Sequence, residues 1–209
     1  MILQTESVIS VSKGGHMGNL NETPSANRLH IGIYGKTNSG KSSLINAVTK
    51  QEVSIVADVA GTTTDPVYKS MEIHPLGPCV IIDTAGFDDD SELGERRVEK
   101  THLAAEKTDI AVVVLDIAEV IAAKKAGVPF KKAFKDEAEW SLLFAKKHTP
   151  VVFALNKIDE ILLSAEAQEK SSGKLDNAAI EAAKCWVYEE NSAVMGKNAD
   201  NSFEVVAVS

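Results

Sequence analysis

The chain has 209 residues, enough for one α/β domain with a sizeable core and cramped for two. Its 44% hydrophobic and 25% charged residues are ordinary for a globular protein, and a formal net charge of -8 argues against phosphate-backbone binding as its main business, because Lys and Arg carry that affinity. No apolar run approaches a membrane-spanning length, and Cys79 and Cys185 lie far apart without CxxC or Cys/His spacing. They read as incidental thiols in a reducing, cytoplasmic setting, too few for an iron-sulfur cluster that wants four ligands.

Residues 1–27 are polar, rich in Ser, Asn and Gly, with Lys13 their only Lys or Arg, and read as a flexible arm before a domain over 28–209. From Leu29 strands and helices alternate. "LHIGIY" reads as a buried strand and "KSSLINAVT" as a helix that opens inside a Gly-rich stretch. "VSIVADVAGTTTDP" reads as an irregular loop, "VYKSMEI" as an alternating strand, "LGP" as a turn and "CVIIDT" as a central strand. "AGFDDDSELG" is an acidic loop. "ERRVEKTHLAAEK" has helical spacing, with Val98, Leu103 and Ala104 or Ala105 on one side. "DIAVVVLDIA" and "TPVVFALNKID" are buried strands separated by the helix "DEAEWSLLFAKK"; "DNAAIEAAKCWVYEE" is the last helix and "SFEVVAVS" the last strand. Two segments interrupt the alternation: "IAAKKAGVPFKKAFK", with Lys124, Lys125, Lys131, Lys132 and Lys135, reads as a solvated insertion, and "LLSAEAQEKSSGKL" as a polar connection. The expected architecture is α/β, a mostly parallel six-stranded sheet with helices on both faces and a ligand at the carboxyl ends of the strands.

Gly35, Gly40, Lys41 and Ser42 in "GKTNSGKSS" fit GxxxxGK[ST] between a strand and a helix. Glycines let the backbone wrap so that N–H groups along Gly35–Ser43, those of Ser39 and Ser43 included, point at phosphate oxygens, and the helix N-terminus adds its dipole. Lys41 would then reach the β- and γ-phosphates, and the Ser42 hydroxyl would bind Mg²⁺. Asp83 in "IIDTAG" ends the third strand, where Mg²⁺ needs an acidic group, and Gly86 can bring a backbone N–H to the γ-phosphate because no side chain intervenes. Asn156, Lys157 and Asp159 in "NKID" follow the strand "VVFAL". A carboxylate there accepts both the N1–H and the exocyclic amine of guanine, while the Lys157 stem can lie across the base plane. Adenine has neither donor and would leave the carboxylate buried and unpaired, so the site selects GTP. Thr62, Thr63 and Thr64 in "AGTTTD" lie between the Gly-rich loop and Asp83, where a second hydroxyl ligand for Mg²⁺ must come from.

"GxxNxGKSS", "GTTxD", "DTAG" and "NKxD" in this order resemble the TrmE/Era-type P-loop GTPases. The resemblance implies a P-loop NTPase fold of the Ras-like G-domain type and makes Thr63 the Mg²⁺ ligand, with Thr62 and Thr64 still open. The stretch from Ser25 to Thr101, with "DPVYK", "ME", "GP" before the third strand and "DDDSELGERRVEKT", closely resembles the GTPase domain of HydF, the maturation GTPases of FeFe-hydrogenases; the likeness thins after Glu119. It implies a GTP-controlled switch in H-cluster assembly, with hydrogenase, other maturation proteins and a second copy as partners through the full-length protein. The dimerisation region and the Cys/His cluster-binding domain of that family are not within these residues. The alternatives are a TrmE/Era-type GTPase in tRNA modification or ribosome assembly, using the lysine run, and a GTP-sensing interaction module with incidental hydrolysis.

Many GTPases place Gln directly after "DxAG". Phe87 stands there in this chain and can neither donate nor accept, so intrinsic turnover should be slow. In related GTPases an Asn at the position of Asn38 holds K⁺ together with loop carbonyls where an arginine finger otherwise sits, so the resemblance implies K⁺-stimulated hydrolysis. Lys41, Asn38, Thr63 and Gly86 are then the residues nearest the chemistry, and Glu92 or Glu95 is a candidate for placing the attacking water. In relatives the last strand leads into a Ser-Ala turn that packs on guanine. "SFEVVAVS" ends on Ser209 inside that turn, and weaker nucleotide retention is the expectation.

Overall fold

The computed structural model describes residues 28–50, 57–59, 67–84, 102–161, 173–195 and 203–208. Its elements are β1 (Leu29–Tyr34), α1 (Lys41–Lys50), β2 (Ala57–Val59), β3 (Val67–Ile73), β4 (Gly77–Asp83), α2 (102–107) and β5 (Ile110–Asp116). They continue as α3 (Ile117–Lys125), α4 (Phe130–Ala133), α5 (Lys135–Lys147), β6 (Val151–Asn156), α6 (158–161), α7 (Gly173–Met195) and β7 (Phe203–Ala207). One sheet runs β2-β3-β4-β1-β5-β6-β7. β1 is parallel to both β4 and β5, β6 to β5 and β7 to β6, while β3 runs antiparallel to β4 and β2 to β3.

Strand alternation decides which residues meet which helices. Ile31 and Ile33 of β1 join Ile45 of α1, Met71, Cys79 and Ile81 in a cluster on one face. Gly32 and Tyr34 point the other way, as a period of two requires. Tyr34 is fully buried with Phe144 and Phe153 in a second, larger cluster. Its hydroxyl shares a 2.8 Å hydrogen bond with Thr108, and burial pushes its pKa up to about 12. The exposed large hydrophobic residues among those described are Leu76, Leu103, Leu142 and Tyr188, and none of the described helices is long and apolar enough to cross a membrane.

The six expected strands form as β1 and β3–β7. The sheet has a seventh, β2, inside the stretch read as an irregular loop. Its three residues pair with β3 as Ala57↔Ser70, Asp58↔Lys69 and Val59↔Tyr68. So short a strand carries no readable alternation, and its neighbour's ladder creates it.

The lysine-rich segment also differs from expectation. It is no solvated insertion but α3, α4 and the start of α5. Asp116 caps α3, its Oδ1 accepting the Ala118 N–H at 2.9 Å. Phe130 and Phe134 are 1% and 2% exposed, and Phe130 packs against Phe134, Phe153 and Trp186 at ring separations of 5.1, 6.1 and 5.9 Å. Lys125, Lys131, Lys132 and Lys135 remain at the surface, while the exposed Lys124 donates from Nζ to the Ala182 carbonyl of α7 at 2.6 Å. Phe130 and Phe134 make this segment part of the packed core rather than a detached loop. In α2 the expected inward Leu103 is 53% exposed, and Ala104 and Ala105 are the residues of this helix buried in the core. Val98 lies outside the described residues.

Candidate nucleotide-binding site

Four adjacent strands, β4, β1, β5 and β6, deliver their carboxyl ends to one edge of the sheet, where the strand order reverses direction about β1. The loop Gly35–Gly40 leaves β1 there and runs into α1. Its shape depends on two glycines. Gly35 has φ +143°, and a Cβ on it would meet the Val114 carbonyl oxygen at 2.4 Å; Gly40 has φ +92°, and a Cβ would meet Asn156 Nδ2 at 2.0 Å. Side chains are excluded at both positions, so the backbone can form a tight cradle. Asn38, exposed at the tip, also takes a positive φ of 64°, a conformation Asn tolerates.

Lys41 is buried at the first position of α1, its Nζ donating to the carbonyls of Gly35 and, at 2.7 Å, Lys36. An ammonium is thereby held inside the loop at the N-terminus of a ten-residue helix with no acidic residue in its first turn. Positive charge, a helix dipole and a glycine-shaped cradle together suit an anion with several oxygens, such as a polyphosphate. Ser42 and Ser43 follow with exposed side chains. Asp83 ends β4, half-buried and in register with Ile33, two residues before Gly35. Next to it Thr84 Oγ1 donates to the Ile33 carbonyl at 2.5 Å and pins the exit of β4 to β1. The Ser42 hydroxyl and the Asp83 carboxylate are hard oxygen donors of the kind Mg²⁺ takes.

The second half of the site comes from β6. Asn156 is buried, and its Nδ2 donates to the Ser39 carbonyl at 3.0 Å, tying the NKID loop to the phosphate loop across 117 residues. Lys157 has φ +67°, and its Nζ donates to Asp116 Oδ2 at 2.6 Å. That hydrogen bond raises the lysine pKa above its usual range. Asp159 is exposed in α6. Val208 closes the loop from below: its N–H donates to the Leu155 carbonyl at 2.8 Å, and its own carbonyl accepts the Ile158 N–H at 3.4 Å.

The structure thus brings together Gly35, Asn38, Ser39, Gly40, Lys41, Ser42, Ser43, Asp83, Asn156, Lys157 and Asp159. Thr62, Thr63, Thr64, Gly86, Phe87, Glu92, Glu95 and Ser209 lie outside the described residues. Sequence reasoning missed Asp116 and Glu137. Asp116 carried the same signal as Asp83, a carboxylate closing an apolar strand; Glu137 carried none, because an acidic residue in a helix's first turn usually faces solvent.

A glycine-shaped phosphate loop joined to an Asn-Lys-x-Asp loop on a mostly parallel sheet defines a P-loop GTPase domain. The chain belongs to the 50S ribosome-binding GTPase family, whose profile matches residues 30–157. Similar proteins include GTPase Der of Mycoplasmopsis pulmonis, 54% identical over 65 residues, and tRNA modification GTPase MnmE of Ruthia magnifica subsp. Calyptogena magnifica, 40% identical over 79. The matched stretches take up 31% and 37% of this chain and only 15% and 17% of those relatives' own lengths. Among solved structures, translation elongation factor SelB from Methanococcus maripaludis, in complex with the GTP analogue GPPNHP, superposes with a TM-score of 0.52 at 13% identity, over 86% of this chain and 29% of that one. A probable GTP-binding protein engB does so with a TM-score of 0.50 at 21% identity, over 85% and 88%. At such identities the likeness concerns the fold alone.

Proposed function

We propose that this domain binds GTP between the phosphate loop and the NKID loop, hydrolyses it slowly with K⁺ stimulation, and acts as the nucleotide-controlled switch of a cytoplasmic, HydF-type maturation protein for FeFe-hydrogenases. The observation that carries the nucleotide part is the Asn156–Ser39 hydrogen bond, which ties the NKID loop to the phosphate loop. In this reading Asp159 accepts the guanine N1–H and amine. Lys157, oriented by Asp116, lays its stem along the base. Lys41 and the N–H groups of the loop face the phosphates, and Gly86 supplies the N–H that senses the third. Ser42, Thr63 and Asp83 would hold Mg²⁺, and Asn38 at the exposed loop tip would hold K⁺. When bound, these cations supply positive charge against the phosphates as the bond to the γ-phosphoryl group breaks.

The maturation role is supported by the family-specific phrases between Ser25 and Thr101. Hydrogenase and other maturation proteins are its partners, with nucleic acid outside them. Two measurements test the proposal. Phosphate release in KCl should exceed that in NaCl at matched ionic strength, and equal rates would refute the K⁺ element. The full-length protein should carry a Cys/His constellation that binds iron after anaerobic reconstitution. An RNA-binding module without iron would instead favour the second reading, a GTPase of tRNA modification or ribosome assembly, to which the similarity with MnmE and Der points.

A further inference from the structure

Glu137 lies in the first turn of α5 yet is 1% exposed, because the helix turns that face onto the back of the phosphate loop. Its Oε1 accepts the backbone N–H of Lys36 at 3.2 Å, across 101 residues of sequence, and its Oε2 has no hydrogen-bond partner. The same small cavity is lined by Ser39, whose buried Oγ is likewise unpaired, and by Lys36. The Lys36 side chain folds onto the same helices: Nζ donates to the Ala133 carbonyl at 3.1 Å, lies 5.0 Å from the centre of the Phe134 ring and 3.9 Å from Glu119 Oε2.

The Lys36 N–H and the Gly35 C=O belong to one peptide plane and point in opposite directions. Glu137 holds the N–H end of that plane. The C=O end accepts the Lys41 ammonium, and the next carbonyl, that of Lys36, accepts it too. Rotating the 35–36 peptide would therefore move the Lys41 acceptors together with the amide that Glu137 grips.

We propose that Glu137 is a positioning residue for GTP turnover: by gripping the Lys36 N–H it aims the Gly35 carbonyl, and through it the Lys41 ammonium, at the place of the β- and γ-phosphates. The proposal rests on Lys41 acting as the phosphate ligand and is independent of the maturation role. Glu137→Met keeps length and removes the acceptor. Glu137→Asp keeps the carboxyl but withdraws it by one methylene. Glu137→Gln keeps both the shape and an acceptor oxygen.

The test is steady-state GTP hydrolysis in the full-length protein, giving kcat and KM, alongside urea unfolding, with Lys41→Ala as control. Glu137→Met and Glu137→Asp should lower kcat by on the order of ten- to a hundredfold, the usual consequence of a catalytic group displaced by an ångström or less, while Glu137→Gln stays within about threefold. Glu137→Asp keeps the measurement decisive should Glu137→Met fail to fold. Unchanged kcat in the folded variants, with only stability reduced, overturns the proposal, as does a Glu137→Gln variant as slow as Glu137→Met. If Lys41→Ala itself turns over normally, the phosphate reading of Lys41 falls and the proposal with it; slow Lys41→Ala beside normal Glu137→Met and Glu137→Asp overturns the proposal alone.

Discussion

Replacing Gly40 by Ala tests whether the phosphate loop and the NKID loop really share one wall. The added Cβ would lie 2.0 Å from Asn156 Nδ2, on a backbone with φ +92° that L-residues avoid. The left-handed backbone costs about 1–2 kcal/mol, relieved only by reshaping the loop that receives phosphate. Displacing Asn156 breaks its bond to the Ser39 carbonyl, a further ~0.5–1.5 kcal/mol. The sum, about 1.5–3.5 kcal/mol, corresponds to roughly a 12- to 300-fold loss of GDP affinity. A fluorescent-GDP titration on Gly40→Ala, Asn156→Ala and the double variant, each checked for folding by circular dichroism, reads it directly. Asn156→Ala removes both the obstacle and the shared bond, so the double variant should bind about fivefold better than the two single losses multiplied, a coupling of ~1 kcal/mol. Gly35→Ala is the control. Its obstacle is the Val114 backbone carbonyl at 2.4 Å, so Asn156→Ala should leave its defect untouched. Strict additivity for Gly40 and Asn156 would refute the shared wall.

Three further outcomes are expected. Phe130→Ala should destabilise the domain by about 3–5 kcal/mol and lower Tm by roughly 6–20 °C in a thermal melt, whereas Lys131→Ala and Lys132→Ala shift stability by no more than about 0.5 kcal/mol; a harmless Phe130→Ala would restore the solvated-insertion reading. Asp116→Ala and Lys157→Met should each weaken GDP binding by roughly tenfold, the worth of one charge-assisted bond, and the double variant should be no weaker than either alone, which a competition titration measures. Burial holds the Glu137 carboxyl above its ordinary value of 4.5, with Asp136 pushing the same way and Lys36 opposing. The folded chain therefore keeps a proton that the unfolded chain releases. The stability this group contributes is present below pH 4.5 and declines as pH rises toward the raised folded value. Relative to Glu137→Gln, the wild-type chain should lose stability over that interval in urea titrations, and a flat or rising difference would contradict the assignment.

The chemistry-bearing loops were legible because each is written in adjacent residues under local rules. Gly35 and Gly40 stand where the loop backbone takes a positive φ and a Cβ would clash, and strands as apolar as "AVVVL" and "VVFAL" announce a parallel sheet covered on both faces, which places every following loop at one edge. Nothing local told that "ADV" would find a sheet edge, that Leu103 would face solvent while Ala104 and Ala105 packed, or that Phe130 and Phe134 would carry a lysine-rich segment into the core. Those outcomes depend on which surface arrives opposite. A strand of three residues has no period to read, and a helix face has no inside until its neighbour is present.

The sequence by itself determined which groups stand at the carboxyl ends of the strands and in what order, because the strands and the Gly-rich loop are written at fixed local spacing. Tertiary structure alone decided how those groups are held. The bond from Asn156 to Ser39, that from Lys157 to Asp116 and that from Lys36 to Glu137 join residues 117, 41 and 101 positions apart. No periodicity or propensity acts over such separations; only the packing of β6, β5 and α5 against the phosphate loop brings these partners within hydrogen-bond reach.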